Sequence, residues 1–262
     1  IDYVKRFNNH LDMSFKGTFT YAHNKVLEYD EPDFQKYPNI SRVGHSVDQQ
    51  LLYIAERLFI DDSEVQRNPK QNLGGWVSGG DIKYKNLPDV NGNYDNVIDS
   101  NDRQYAGMPT TPEIVYGFGP SFRYKKFDFS FFFQGAARVS IMMNGIHPFG
   151  AEGTRNVLQF IADDYWSETN QNIYAEYPRL SKRDNENNTK ASTYWQRNGA
   201  FLKLKNLEVG FNHKFFRVYL RGSNLLTFSP FKYWDPEMGS GSGLSYPTQR
   251  VFNVGVQFSI NK

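Results

Sequence analysis

The chain has 262 residues, no cysteine, and 30 Lys plus Arg against 28 Asp plus Glu, for a formal net charge of +2. This near-neutral balance gives no electrostatic case for nucleic acid. The lack of Cys removes disulfides, thiolate metal sites and Cys nucleophiles, and no run approaches the roughly 18 apolar residues of a membrane helix. Aromatic residues nevertheless reach 16%, with 22 Phe and 17 Tyr, so the location of those rings becomes the question. Residues 1–12 lack the basic and apolar regions of a signal peptide, and the pattern opens midway, as in a segment of something longer.

In chain order, period-two alternation predicts strands with two unlike faces. Over 14–25, Phe15, Gly17, Phe19 and Tyr21 alternate with Lys16, Thr18, Thr20 and Ala22. Residues 51–60 read as a strand or an amphipathic helix, because short apolar runs are ambiguous. Over 113–124, Ile114, Tyr116, Phe118, Pro120, Phe122 and Tyr124 share one face. Val115, Gly117, Gly119, Ser121 and Arg123 share the other. A tight turn at Lys125-Lys126 leads to Phe127, Phe129, Phe131 and Phe133, set against Asp128, Ser130, Phe132 and Gln134. Leu207, Val209 and Phe211 then alternate with Asn206, Glu208 and Gly210. After a turn at 212–214, Phe216, Val218 and Leu220 alternate with Arg217, Tyr219 and Arg221. The last run sets Phe252, Val254, Val256, Phe258 and Ile260 against Val251, Asn253, Gly255, Gln257 and Ser259.

Long polar stretches separate these runs, at 61–111, 144–200 and 225–249. Unstructured loops of such length are uncommon in compact soluble domains. Short turns on one rim and long loops on the other mark a transmembrane β-barrel, with an apolar lipid face and a polar lumen face. Asp128, Gln134, Arg123, Glu208, Arg217 and Arg221 all fall on the polar face. Arg217, Arg221 and Arg123 are candidate lumen residues, with Asp128 and Glu208 as partners across the wall. One connector, 26–50, falls on the wrong rim, as though a strand were missing there. Alternation alone also fits a soluble antiparallel sheet with one face on a core.

The stretch GDIKYKNLPDVNGNYDNVIDSNDRQYAGMPTTPEIVYGFGPSFRYKKFDFSFFFQGAA (80–137) resembles the SusC/RagA family of TonB-dependent outer-membrane transporters. YPRL (177–180), ASTYWQRNGAFLKLKN (191–206), FLKLKNLEVGF (201–211), RVYLRGSNLLTFSPFKYWDPE (217–237) and YPTQRVFNVGVQF (246–258) follow in family order. The resemblance implies an all-β fold, the C-terminal part of a large antiparallel transmembrane barrel of 22 strands with long extracellular loops. It implies a bacterial outer-membrane location, a SusD-like surface lipoprotein partner, and import of glycans or peptides driven through the TonB complex. On that reading residues 1–262 form the C-terminal segment of the barrel domain, and the plug and early strands lie outside this chain. The remaining barrel is then supplied by another chain, because an open sheet edge is strongly disfavoured in lipid.

Within residues 89–102, anchoring Ile98 at the eighth position of a Ca²⁺ loop puts Asn91, Asn93, Asp95, Asp99 and Asp102 at ligand positions. Asn96 then takes the usual Gly place, where a left-handed residue is needed. The family segment runs closer to D-x-N-x-D-G-x-I-D-x-x-D. An Asx-turn loop without metal is the alternative. Trp166, Trp195, Trp234 and Tyr174 lie in the long loops and suit sugar stacking or contact with the lid protein; equally, they pack the loops together. Asp163-Asp164 and the Asp235/Glu237 pair read as capping groups, not the acid/base pair of a glycosidase. The five His show no metal spacing. No catalytic residue is expected. A soluble β-sandwich that binds carbohydrate with a Ca²⁺ loop is the competing expectation.

Overall fold

The alternating runs join into one seven-stranded antiparallel sheet in the computed structural model, which describes residues 1–8, 10–149, 153–182 and 184–259. The strands are β1 (Asp2–Asn8), β2 (Leu11–Tyr21), β3 (Ile114–Tyr124), β4 (Phe127–Ala137), β5 (Phe201–Asn212), β6 (Phe216–Phe228) and β7 (Val251–Phe258). Each strand pairs with the next in chain order. The expected all-β class is borne out. Ile260, the last residue of the expected final run, lies outside the described residues.

β2 to β6 are 11–13 residues long. That meets the roughly 9–11 residues a tilted strand needs to cross hydrocarbon. The register keeps aromatic residues opposite one another. Phe129 faces Phe122 and Val209, and Phe133 faces Phe118 and Leu204. The Phe118–Phe133 centroids are 5.6 Å apart and those of Phe131 and Phe133 5.8 Å. In β5 the apolar positions shift parity between Leu204 and Leu207. A bulge at Lys205 absorbs the extra residue, so both stay on one face. Phe132 departs from its polar face for a local reason. Its ring fills the hollow at Gly117, where an added Cβ would lie 2.7 Å from Phe132 Cζ.

The apolar face is uncovered. Phe19, Phe118, Phe129, Leu220, Phe252, Val254 and Val256 are all exposed. Each forfeits part of the roughly 1.5–3 kcal/mol that full burial of such a side chain provides in water. The continuous buried cluster contains no wall residue at all. Its members come from loops 22–113, 138–200 and 229–250, among them Leu52, Tyr84, Ile98, Ile141, Ile161, Trp195 and Phe231. A soluble sandwich would need a second sheet on the apolar face. Among the described residues the other four sheets have two strands each and lie within the loops.

Of the two readings of residues 51–60 the strand holds, as the short strands Gln50–Tyr53 and Ala55–Leu58, but inside the loop cluster and not across the wall. The strand missing from the sequence reading is β1, not one within 26–50. Its apolar face carries Lys5 two residues after Tyr3, and the pairing shifts register between Arg6 and Asn8, which together blur the alternation. With β1 in place the chain reverses between β1 and β2, climbs β2, and spends 22–113 on the long-loop rim, so the misplaced connector disappears. The β1–β2 connection and turns 125–126 and 213–215 share the other rim. There the Lys125 N–H donates to His10 O at 2.8 Å, and the Asn212 N–H to Lys126 O at 2.6 Å.

Candidate functional site

The polar face of the wall carries a connected charge network. Arg217 Nη2 donates to Asp128 Oδ1 and to Glu208 Oε1, both at 2.6 Å. Arg221 Nε lies 3.3 Å from Glu208 Oε2, and Asn212 Nδ2 donates to Asp128 Oδ2 at 2.5 Å. Antiparallel register produces this: Glu208 faces Arg221, and Asp128 faces Gly210, which leaves room for the Arg217 guanidinium. The expected pairing of Arg217 and Arg221 with Asp128 and Glu208 is therefore observed. A groove of about 620 Å³ runs beside it, lined by Arg6, Asp12, Ser121, Arg123, Asp128, Ser130, Arg217 and Gln257. It is half-open, carries both signs of charge, and is completed by Val4, Met13, Phe122 and Phe129.

At the loop end of β5, Lys203 is fully buried. Its Nζ lies 2.5 Å from Asp235 Oδ2 and 2.6 Å from Glu237 Oε2, and Lys205 Nζ lies 2.9 Å from Glu237 Oε1. The Asp235 carboxylate also accepts the Glu237 N–H at 3.1 Å, capping the short helix Pro236–Met238. Burial pushes the Asp235 carboxyl up, but the Lys203 ammonium and the cap hydrogen bond outweigh it and hold the group below its usual value. Both carboxylates are thus occupied as a latch between loop 229–250 and the wall. The capping was expected; the ion pairs to Lys203 and Lys205 were not.

The loops themselves are tied by a buried amide–carboxylate knot. Asp81 is fully buried. Its oxygens accept Ser78 N–H at 2.8 Å, Arg179 Nη2 at 3.0 Å, Asn185 Nδ2 at 2.9 Å and Asn188 Nδ2 at 2.8 Å. Arg179 Nε is also 2.7 Å from Asp81 Oδ1, but off the line of its N–H. Asn187 donates to Ile82 O and accepts from Gln71 Nε2, while its carbonyl accepts Tyr84 OH. Nearby, α1 (Asp62–Arg67) places Glu64 against Arg57 at 2.6 Å and Lys83 at 3.1 Å. Burial works to raise the Glu64 carboxyl, but those cations and the Ile60 N–H hold it at about 2.

Beside the knot lies a cavity of about 240 Å³ lined by Asn144, His147, Tyr177, Asp184, Asn188 and Trp195. It is smaller than the roughly 300–1,000 Å³ typical of small-molecule sites, so it has room for a single sugar ring or side chain. His147 Nδ1 is 2.8 Å from Asp184 Oδ1. Burial raises the Tyr177 phenol, which stays neutral and donates to Ile146 O.

The aromatic candidates separate. Trp166 and Trp195 are each 6% exposed and belong to the loop core. Of the two readings open to them, these two rings pack the loops together and offer no open platform for a sugar. Trp195 instead donates its Nε1 to Asn188 O at 2.7 Å. Trp234 is half-buried, donates to Gly239 O at 3.0 Å and meets Phe231 edge-on at 4.6 Å. Only Tyr174 keeps an open ring, at 73%. Sequence reasoning missed Trp76, which is 79% exposed after two glycines at φ +91 and +72. The Gly74-Gly75 pair was the available signal, since positive φ at both positions makes a projecting turn. It also missed Lys203 and Asp81, whose partners are distant in sequence.

In the acidic loop, Asn96 adopts φ +58, the left-handed conformation its position requires. Asp95 Oδ1 accepts Val97 N–H, Asp99 Oδ1 accepts Asn101 N–H, and Asp102 takes Leu87 N–H and Asp99 N–H on its two oxygens. Asp102 is buried, and burial raises its carboxyl; repulsion from Asp95 and Asp99 adds to that. Asn91 and Asn93 give their N–H groups to Asp89. Among the described residues no three acidic or histidine side chains converge in metal-holding geometry.

The chain is 26% identical to TonB-dependent receptor P3 of Formosa agariphila over 274 residues, covering 94% of this chain and 26% of that protein. It is 28% identical to TonB-dependent receptor P26 of the same organism over 269 residues, covering 89% of this chain and 26% of that one. It therefore spans about a quarter of the curated relatives it matches. No family model matches. Among solved structures, the RagAB peptide importer in its closed-closed state superposes with a TM-score of 0.66 at 18% identity, over 98% of this chain and 28% of that one. The RagAB peptide transporter superposes with 0.65 at 20% identity, over 98% and 28%. The resemblance read from the motifs, to the SusC/RagA family of TonB-dependent transporters, is borne out.

Proposed function

We propose that this chain is a section of barrel wall, with its external loops, in a TonB-dependent outer-membrane transporter that imports a bulky polar nutrient together with a SusD-like surface lipoprotein. The observation that carries this is the inversion of burial: the aromatic sheet face is uncovered while the continuous buried cluster lies in the loops. A sheet so built is stable only where its apolar face meets lipid. The charged groove on the opposite face then lines the passage, and the loop cluster meets substrate and lipoprotein. An oligopeptide is favoured over a glycan as cargo. The groove presents both cations and anions, which suit a zwitterionic chain, and a neighbour of the same fold is a peptide importer. The TonB complex supplies the energy through parts of the transporter outside this chain.

Membrane fractionation and uptake test the reading together. Deleting the tip of loop 229–250 should lower peptide uptake while the protein still fractionates with the outer membrane. Recovery in the soluble fraction without detergent would defeat it.

For Ca²⁺ the acidic loop already offers the left-handed Asn96 and a buried Asp102 repelled by Asp95 and Asp99, and binding would have to draw these carboxylates together from the positions they hold here. Asn91 and Asn93 would complete the oxygen set. Calorimetry with Ca²⁺ on the intact transporter, showing no binding heat, would remove this part of the proposal alone.

A further inference from the structure

Three lysines on the short-turn rim share one arrangement. Lys5 Nζ lies 4.8 Å from the centroid of the Phe7 ring, Lys125 Nζ 5.3 Å from that of Tyr124, and Lys214 Nζ 5.3 Å from that of Phe215. They come from three successive hairpins, β1–β2, β3–β4 and β5–β6. Lys5 pairs in register with Met13, which faces Phe122, so it stands on the apolar face, as does Tyr124. The three rings are half-exposed, at 50%, 52% and 56%.

The charge distribution across the rim is one-sided. Its carboxylates, Asp12 and Asp128, sit on the polar face, and each is matched by an arginine. Arg6 lies 2.9 Å from Asp12 and Arg217 2.6 Å from Asp128. Among the described residues, Lys5, Lys125 and Lys214 have no carboxylate within ion-pair distance. Outward, therefore, the rim carries cations over aromatic rings and no countercharge.

We propose that this rim is a docking surface for anionic phospholipid headgroups of the leaflet that meets the short turns. The inference rests on the apolar face being the lipid face. Aromatic rings at a barrel rim sit at headgroup depth, and a lysine stem laid along such a ring carries its ammonium to the phosphate plane. The ring contact leaves the ammonium hydrogens free to donate. Strands in a sheet lie about 4.8 Å apart, so successive hairpins repeat at about 10 Å along the rim. That spacing suits a row of separate headgroups and rules out one small anion bridging all three lysines.

The test uses the full-length transporter, with the chains that accompany it from the outer membrane, in nanodiscs of phosphatidylethanolamine with added phosphatidylglycerol. Retained lipids are counted by native mass spectrometry. The wild type should retain phosphatidylglycerol preferentially, and high salt should erase the preference. Each lysine near a charged surface is worth about fivefold in affinity. Lys5→Gln and Lys214→Gln should each lose about that factor, and the triple variant with Lys125→Gln should lose selectivity while still inserting. Equal preference in the triple variant, no preference in the wild type, or displacement of the lipid by inorganic phosphate would each overturn the proposal and leave the wall reading standing. Failure of the wild type to enter any bilayer would overturn both.

Discussion

Asp81→Asn isolates what holds the loop cluster together. The substitution keeps shape and volume, removes the charge, and converts one acceptor oxygen into a donor amide. Neither orientation of the new amide is tolerated. One side faces Asn185 Nδ2 and Asn188 Nδ2, and the other faces Ser78 N–H and Arg179 Nη2. Two hydrogen bonds are lost in either case, and Arg179 loses its countercharge in a largely buried setting. Removing one partner of a buried pair costs about 3–5 kcal/mol, and the lost bonds overlap with that figure rather than adding to it. The joined segments are about 100 residues apart, so the effect is local opening of loops, not loss of the wall. Hydrogen exchange reads such opening directly. At about 1.4 kcal/mol per decade, amides in 78–84 and 179–189 should exchange roughly 10²–10³-fold faster, with β3 to β6 unchanged. Exchange in both loops within tenfold of wild type would refute the knot as their fastening.

Lys203→Met strands Asp235 and Glu237 with only Lys205 to compensate. Limited proteolysis should cut loop 229–250 well before the wall, with opening eased by about 2–4 kcal/mol. Glu64, at about 2, ionises more readily folded than unfolded. Its contribution is therefore complete above pH 4.5 and is lost as pH falls toward 2. It is worth about 3 kcal/mol, so Glu64→Gln should flatten the acid-induced opening of residues 57–83 seen by exchange at stepped pH. Gly80→Ala should fold poorly. Gly80 has φ +80, and an added Cβ would lie 2.2 Å from Trp166 Cε3. About 2–4 kcal/mol of local destabilisation, read as quenching changes in Trp fluorescence, is expected from strain and overpacking together.

Which parts of this fold were legible follows from the range of the forces involved. The hairpin 113–137 could be read residue by residue, because pleat geometry sends alternate side chains to opposite faces and a two-residue turn fixes the pairing. The wall ion pairs of Arg217 and Arg221 were legible too, once strand faces were assigned. β1 was not, since Lys5 interrupts its apolar face at the rim. Residues 51–60 looked like a wall strand because their apolar residues do enter a core, only not the core of the wall. Asn96 was readable because left-handed backbone has few tenants. The Trp residues show the opposite case: composition says that a ring in a loop needs a neighbour, and nothing local says whether that neighbour is protein or ligand.

The sequence by itself determined the two-faced strands, the placement of most Phe on the apolar face, the split between short turns and long loops, and the transporter resemblance. These depend on periodicity and on motifs a few residues long. The tertiary structure alone decided where the core lies, which carboxylates are spent on lysine, and which Trp is open. Asp81 meets Asn185 across 104 residues and Lys203 meets Asp235 across 32. Such contacts are selected by the free energy of burying polar groups only as satisfied pairs, a condition set by the whole packed cluster and carried by no short stretch of chain.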